Sequence, residues 1–152
     1  MLFYKQNFSY SSRPCRVHAG AGTGFSSNPL QQKKGIRHMP FINSKVSVKT
    51  TLKQRQEIKE RLGKAISIIP GKSEAWLMLD LEDDQTMYFR GDNKEPIAFV
   101  SVNMYGSPEP EAFRKLTEVI TEIYSDVLGV SPDHMYIKYD AVMNWGWNGS
   151  NF

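Results

Sequence analysis

From residue 39 onward the apolar positions come in blocks whose spacing switches between two kinds. Phe41 to Val48 is a short β-branched run and predicts a strand. Thr50 or Thr51 then offers a helix cap. Leu52, Ile58, Leu62, Ala65, Ile66 and Ile69 follow near the 3.6-residue period of one helix face, until Pro70-Gly71 stops it. "AWLMLDL", residues 75 to 81, reads as a strand with almost no polar relief. "EDDQT" and "RGDNKEP" are turn-rich and flank a candidate short strand at Met87 to Phe89. Ile97 to Met104 is another continuous apolar block. "SPEPEAF" opens a second helix whose stripe is Phe113, Leu116, Ile120, Ile123 and Val127, "LGVSPDH" ends it, and Met135 to Val142 is the last strand.

The order is βαβ followed by βαβ, which implies parallel pairing within each unit and helices against a sheet. A strand buried on one face alternates apolar and polar residues, and "AWLMLDL" and "IAFVSVNM" read as largely failing to do so. Two helices cover one face of such a sheet. The expectation is therefore that further copies of the chain cover the other.

Charge divides the chain. Its 152 residues carry a formal net charge of +3, yet all 16 acidic residues lie after Pro40, the first being Glu57. Residues 1–38 carry Lys5, Arg13, Arg16, Lys33, Lys34 and Arg37 with no acid, so the remaining 13 basic and 16 acidic residues sum to −3. The pI near 8.9 thus belongs to the extension. Its basic residues are scattered among Ser, Gly and Gln without a helical stripe or aromatic platform, which argues against nucleic acid. Residues 39–152 have the length of one domain. No apolar run approaches the ~20 residues that span a bilayer. The only cysteine, Cys15, lies in the extension, which excludes a disulfide framework or a cysteine-based metal site in the domain. The default location is cytoplasmic, with release from the cell without a signal peptide as the variant.

Residues 1–38 admit several readings. Ser-rich, Arg-bearing and acid-free is a transit-peptide composition, though "AGAGTGFSSNPLQQ" has no amphipathic face, and a secretory signal lacks its apolar core. The reading adopted is a misplaced start, on the premise of a bacterial gene: Lys33-Lys34-Gly35 would be encoded by a purine run of ribosome-binding type, a short spacer ahead of Met39. A leader is the alternative. Either way 1–38 is expected to be a disordered extension and 39–152 the domain.

"MPFIN", "PGKSEAW", "MYFRG", "EPIAFVSVNMYG", "SPDHMYIKYDAV" and "NWGWNGSNF" together resemble the macrophage migration inhibitory factor family of the tautomerase superfamily, in order from Met39 to Phe152. The resemblance implies an α/β (α+β) fold in which two βαβ units form a four-stranded sheet with two helices on one face. It also implies a homotrimer with active sites at subunit interfaces, and an initiator Met that is removed to expose a catalytic proline.

The chemistry explains that placement. A prolyl nitrogen inside a chain is a tertiary amide with neither basicity nor N–H, so only a terminal Pro40 can act as a base. Retention of 1–38 would leave the protein inactive. By resemblance, Lys72 is the active-site cation beside it. "PGKS" is not a phosphate-binding loop, because GxxxxGK[ST] requires Gly where Ile66 stands. The resemblance also places Tyr136, from a neighbouring subunit, with Lys138, Tyr105, Trp76, Trp147 and Phe152 around the substrate.

Three features depart from the family's best-known member. Ile97 and Val100 stand where it has a CxxC pair, Lys138 replaces a substrate-contacting asparagine and Trp145 replaces a small aliphatic. His18, His38 and His134 lack ligand spacing and Glu82, Asp83 and Asp84 read as a solvated turn, so no metal or cofactor is expected. The implied function is keto-enol tautomerisation of phenylpyruvate-type 2-oxo acids. The alternative is a cytokine-like ligand for a host receptor, with little or no catalysis.

Overall fold

A computed structural model of the chain describes residues 39–151; the extension 1–38 and Phe152 lie outside the described residues. Strand β1 (Pro40–Val46) leads through α1 (Leu52–Ala65) to β2 (Met78–Glu82), and β3 (Ala98–Tyr105) leads through α2 (Pro110–Leu128) to β4 (Met135–Val142). Two-residue strands β5 (Gly146–Trp147) and β6 (Ser150–Asn151) form a terminal hairpin.

The main sheet has the order β2-β1-β3-β4. β1 runs parallel to β2 and β3 parallel to β4, while β1 and β3 meet antiparallel, Pro40 opposite Met104 and Val46 opposite Ala98. This is the expected pair of βαβ units, joined along one antiparallel seam.

Both helices pack on one sheet face. Ile42, Val46, Val100, Val102 and Met104 meet Ile58, Leu62 and Ala65 of α1 and Leu116, Ile120 and Ile123 of α2 in one buried cluster, so residues 39–151 contain a complete core. α1 starts where Thr51 and Gln54 form a reciprocal capping box. α2 has Pro110 in its first turn and stops at Gly129, whose φ of 68° suits glycine.

Four expectations are corrected. Leu52 is not in the core but 85% exposed: at 100° per residue it sits about 240° around the helix from Ile58. The strand expected over 75–81 is shorter, because Glu74–Trp76 form a 3-10 turn. Met87 to Phe89 make no strand, only a bridge from Phe89 to Asp92. Finally, the strands do alternate. Ala98, Val100, Val102 and Met104 are buried while Phe99, Ser101, Asn103 and Tyr105 are half-buried on the other face.

That open face is polar in its middle. The Asn43 amide donates to Asp80 at 2.8 Å and to Glu82 at 3.1 Å, Lys45 pairs with Glu82 at 3.4 Å, and Lys138 pairs with Asp140 at 2.8 Å. The Asn43 bond, with Lys45 beside it, holds the Glu82 carboxyl below its usual value. Strand pattern alone therefore supplies no motive for a second layer over this face.

Candidate active site

Proline suits the first position of a strand, where a missing N–H costs little. Pro40 occupies that position in β1, is buried, and faces Met104 across the antiparallel ladder. Lys72 reaches the same end of the sheet by another route. After α1 the chain turns through Ile66–Ile68 and reverses at Gly71, whose φ is 79°, with the Lys72 N–H donating to the Ile69 carbonyl at 3.0 Å. The side chain then runs inward until it is 7% exposed, and its amine donates to the Tyr105 carbonyl at 2.7 Å. Burial pushes that amine below the ordinary lysine value. Tyr105 follows Met104 directly, so the carbonyl holding Lys72 is one residue from Pro40's ladder partner.

Two clefts open at this end. One, about 450 Å³, is lined by Pro70, Lys72, Tyr105, Ser107, Glu109 and Met143. The other, about 420 Å³, is lined by Met39, Pro40, Trp76, Met78, Trp145 and Trp147. Trp76 and Trp147 meet edge to face, their ring centroids 5.5 Å apart at 84°. They are 37% and 43% exposed, so each indole keeps surface for a ligand. The polar lining and the aromatic lining are thus separate. Tyr105, expected beside Trp76, lies with Lys72 instead.

Tyr136 and Lys138 are elsewhere. Tyr136 stands opposite Phe99, five ladder positions from Met104, which is about 17 Å along the sheet from Pro40. Its 63%-exposed ring packs edge-on against Phe89 at 5.4 Å. Lys138 lies two residues further along β4 on the open face. A single protomer therefore gathers Pro40, Lys72, Tyr105, Trp76 and Trp147 at one end and leaves Tyr136 and Lys138 apart from them.

Sequence reasoning missed several residues of these clefts. Ser107 and Glu109 read only as the opening of a helix. Met78 and Met143 read as strand and flank. None carried a signal beyond its proximity to Trp76 or to the end of β4.

Two parallel βαβ units sharing an antiparallel seam, with a proline opening the first strand at a cleft, define the tautomerase-superfamily architecture. The profile of the macrophage migration inhibitory factor family matches residues 39–152, and the chain belongs to that family. It is 34% identical over 84 residues to the macrophage migration inhibitory factor of Mus musculus, covering 54% of this chain and 72% of that protein. Among solved structures it is similar to the MIF2 protein of Leishmania major, with a TM-score of 0.70, 29% identity, and coverage of 76% of this chain and 98% of that one. The homologue from Prochlorococcus marinus gives a TM-score of 0.62 at 30% identity, covering 74% and 98%.

Proposed function

We propose that the chain, once its first residue is Pro40, is a cofactor-independent tautomerase that interconverts the keto and enol forms of phenylpyruvate-type 2-oxo acids. The observation that carries this reading is the placement of Pro40 in a tryptophan-lined cleft, one residue across the ladder from the carbonyl that holds the buried Lys72 amine.

In the proposed reaction the Pro40 nitrogen takes a proton from the carbon between the ring and the carbonyl. The C–H electron pair becomes the C=C bond and the carbonyl pair moves to oxygen. The Lys72 ammonium stabilises that oxyanion, and a proton returned to the oxygen gives the enol. A free α-amino group titrates near about 8, and an apolar cleft with a cation nearby lowers that value. A base poised near neutrality suits this step.

Two further elements belong to the reading. The segment 1–38 and Met39 are absent from the working protein, because an acylated Pro40 has no lone pair to offer; loss of Met39 also removes a side chain that lines the cleft. The working form is a homotrimer in the cytoplasm, in which Tyr136 and Lys138 serve the cleft of a neighbour. Their separation from Pro40 within one protomer supports that assignment. Family membership also supports the alternative, a signalling ligand with an idle cleft.

The test is phenylpyruvate enolisation by protein begun at Met39 and processed to Pro40, beside Pro40→Gly and the full 152-residue chain. The full chain, whose Pro40 is acylated, should fall by at least about a hundredfold, the usual worth of a general base, and Pro40→Gly, which keeps a free but primary amine, by a smaller factor. Equal measurable rates in all three would remove Pro40 from the mechanism, and no activity in any of them would leave the signalling reading.

A further inference from the structure

The turn from Phe89 to Asp92 is closed by two backbone bonds, the Phe89 N–H to the Asp92 carbonyl at 2.8 Å and the Asp92 N–H to the Phe89 carbonyl at 3.1 Å. Its central residues, Arg90 and Gly91, both have positive φ, 53° and 89°. Turns of this kind take Asn, Asp or Gly at the first central position, and an arginine there is strained. Local packing does not explain the choice, since the Arg90 side chain is 68% exposed.

What Arg90 does have is a place over Phe89, the ring that packs on Tyr136. Its guanidinium lies 5.0 Å over the Phe89 ring and 3.6 Å from Asp133, and Phe89 packs against both His134 and Tyr136. The Asp133 pair is too long for a hydrogen bond, so the guanidinium retains donors for a bidentate carboxylate contact. Asp133 lies three residues before Tyr136 and Lys138 two residues after it. Tyr136 thus has Arg90 on its neighbour Phe89 and Lys138 two residues along β4, the Lys138 amine paired with Asp140 at 2.8 Å. A ligand laid on the Tyr136 ring with its 2-oxo acid toward Lys138 would present its far end to Arg90.

We propose that Arg90 is a specificity-determining residue, supplied by one copy of the chain to the Pro40 cleft of the next, where it selects 2-oxo acids bearing a second anionic group beyond the aromatic ring. The proposal rests on the tautomerase reading above, since Tyr136 lies too far from its own Pro40 to serve it.

The test uses the Met39-initiated protein, which carries the complete core, with phenylpyruvate and 4-carboxyphenylpyruvate as substrates. Arg90→Ala should lower kcat/KM for the carboxylated substrate about tenfold more than for phenylpyruvate, through KM, as expected for one charge-assisted contact. Arg90→Lys should keep part of the preference. Arg90→Gly should lose it while raising the thermal midpoint, because glycine relieves the turn, and that outcome excludes a folding defect. In mixed oligomers of Arg90→Ala with excess Pro40→Gly, once the rate of Pro40→Gly alone is subtracted, the remaining activity comes from clefts with an intact Pro40 beside a neighbour's Arg90, and the preference should return. An unchanged preference in Arg90→Ala, or no recovery in the mixture, overturns the proposal. Absence of activity in the wild type would instead overturn the tautomerase reading. Calorimetric binding of 4-carboxyphenylpyruvate to wild type and Arg90→Ala then decides the matter for Arg90, equal affinities counting against it.

Discussion

The two βαβ units repeat an architecture and divide its labour. In the first, the 14-residue α1 buries Ile58, Leu62, Gly63 and Ala65, while in the second the 19-residue α2 buries Leu116, Ile120, Ile123, Tyr124 and others. Each unit also presents a cation of interest, in opposite settings, Lys72 at the Pro40 end and Lys138 apart from it. Lys72 of the first is 7% exposed with its amine on a backbone carbonyl; Lys138 of the second has a side chain 57% exposed and paired with Asp140 at 2.8 Å. Burial is what changes a group's proton affinity and strengthens its field. The first unit therefore carries the buried cation, and the second the exposed, ion-paired one.

Replacing Lys72 with Met should break that contrast most strongly. Methionine keeps the buried aliphatic stem but removes the cation, so kcat for phenylpyruvate enolisation should fall by about 10²–10³, the usual worth of one oxyanion donor. Circular dichroism should stay native. A lysine-to-methionine protein with wild-type kcat would reduce Lys72 to a packing element.

Replacing Lys138 with Asn probes the other unit and should do less. An exposed ion-paired cation contributes about 1 kcal/mol or less, so KM for an acid substrate should rise by about fivefold or less while KM for its methyl ester moves little. Equal changes for acid and ester would mean that Lys138 points only to solvent and Asp140.

The contrast also tracks what could be read from the chain. α2 and β4 stood out because their apolar spacing is strong and their ends are marked by Pro and Gly. The first unit was harder. Leu52 is apolar but sits at the first helical position off the buried face, and "AWLMLDL" joins a 3-10 turn to an edge strand, so a continuous run concealed an alternation. β5 and β6 have two residues each, too few for any period. Pro40 and Lys72 were legible through family resemblance, since neither spacing nor composition singles them out. The packing of Phe89 on Tyr136 joins segments 47 residues apart in the chain, and no local pattern encodes such a contact.

The smallest expected effect concerns how the first unit is closed. Asp83, the residue after β2, accepts the Thr50 N–H at 2.7 Å, the Thr50 hydroxyl at 2.8 Å and the Arg55 guanidinium at 2.8 Å, tying the β1–α1 loop to the strand that α1 leads into. The residue after β4 is Met143, which lines a cleft instead. The Thr50 backbone donor first, then its hydroxyl and Arg55, hold the Asp83 carboxyl down at about 2. An unfolded aspartate titrates near about 3.9. Because the folded value is the lower one, the stability from this carboxylate is fully present above the unfolded value and is lost as pH falls through the folded one. Asp83→Asn should therefore melt below the wild type at neutral pH, and the gap should shrink on acidification between about 4 and about 2. Thermal melts across that range check it. A gap that stays constant down to the acid end would show that the clamp works through hydrogen-bond geometry alone, with the charge contributing nothing.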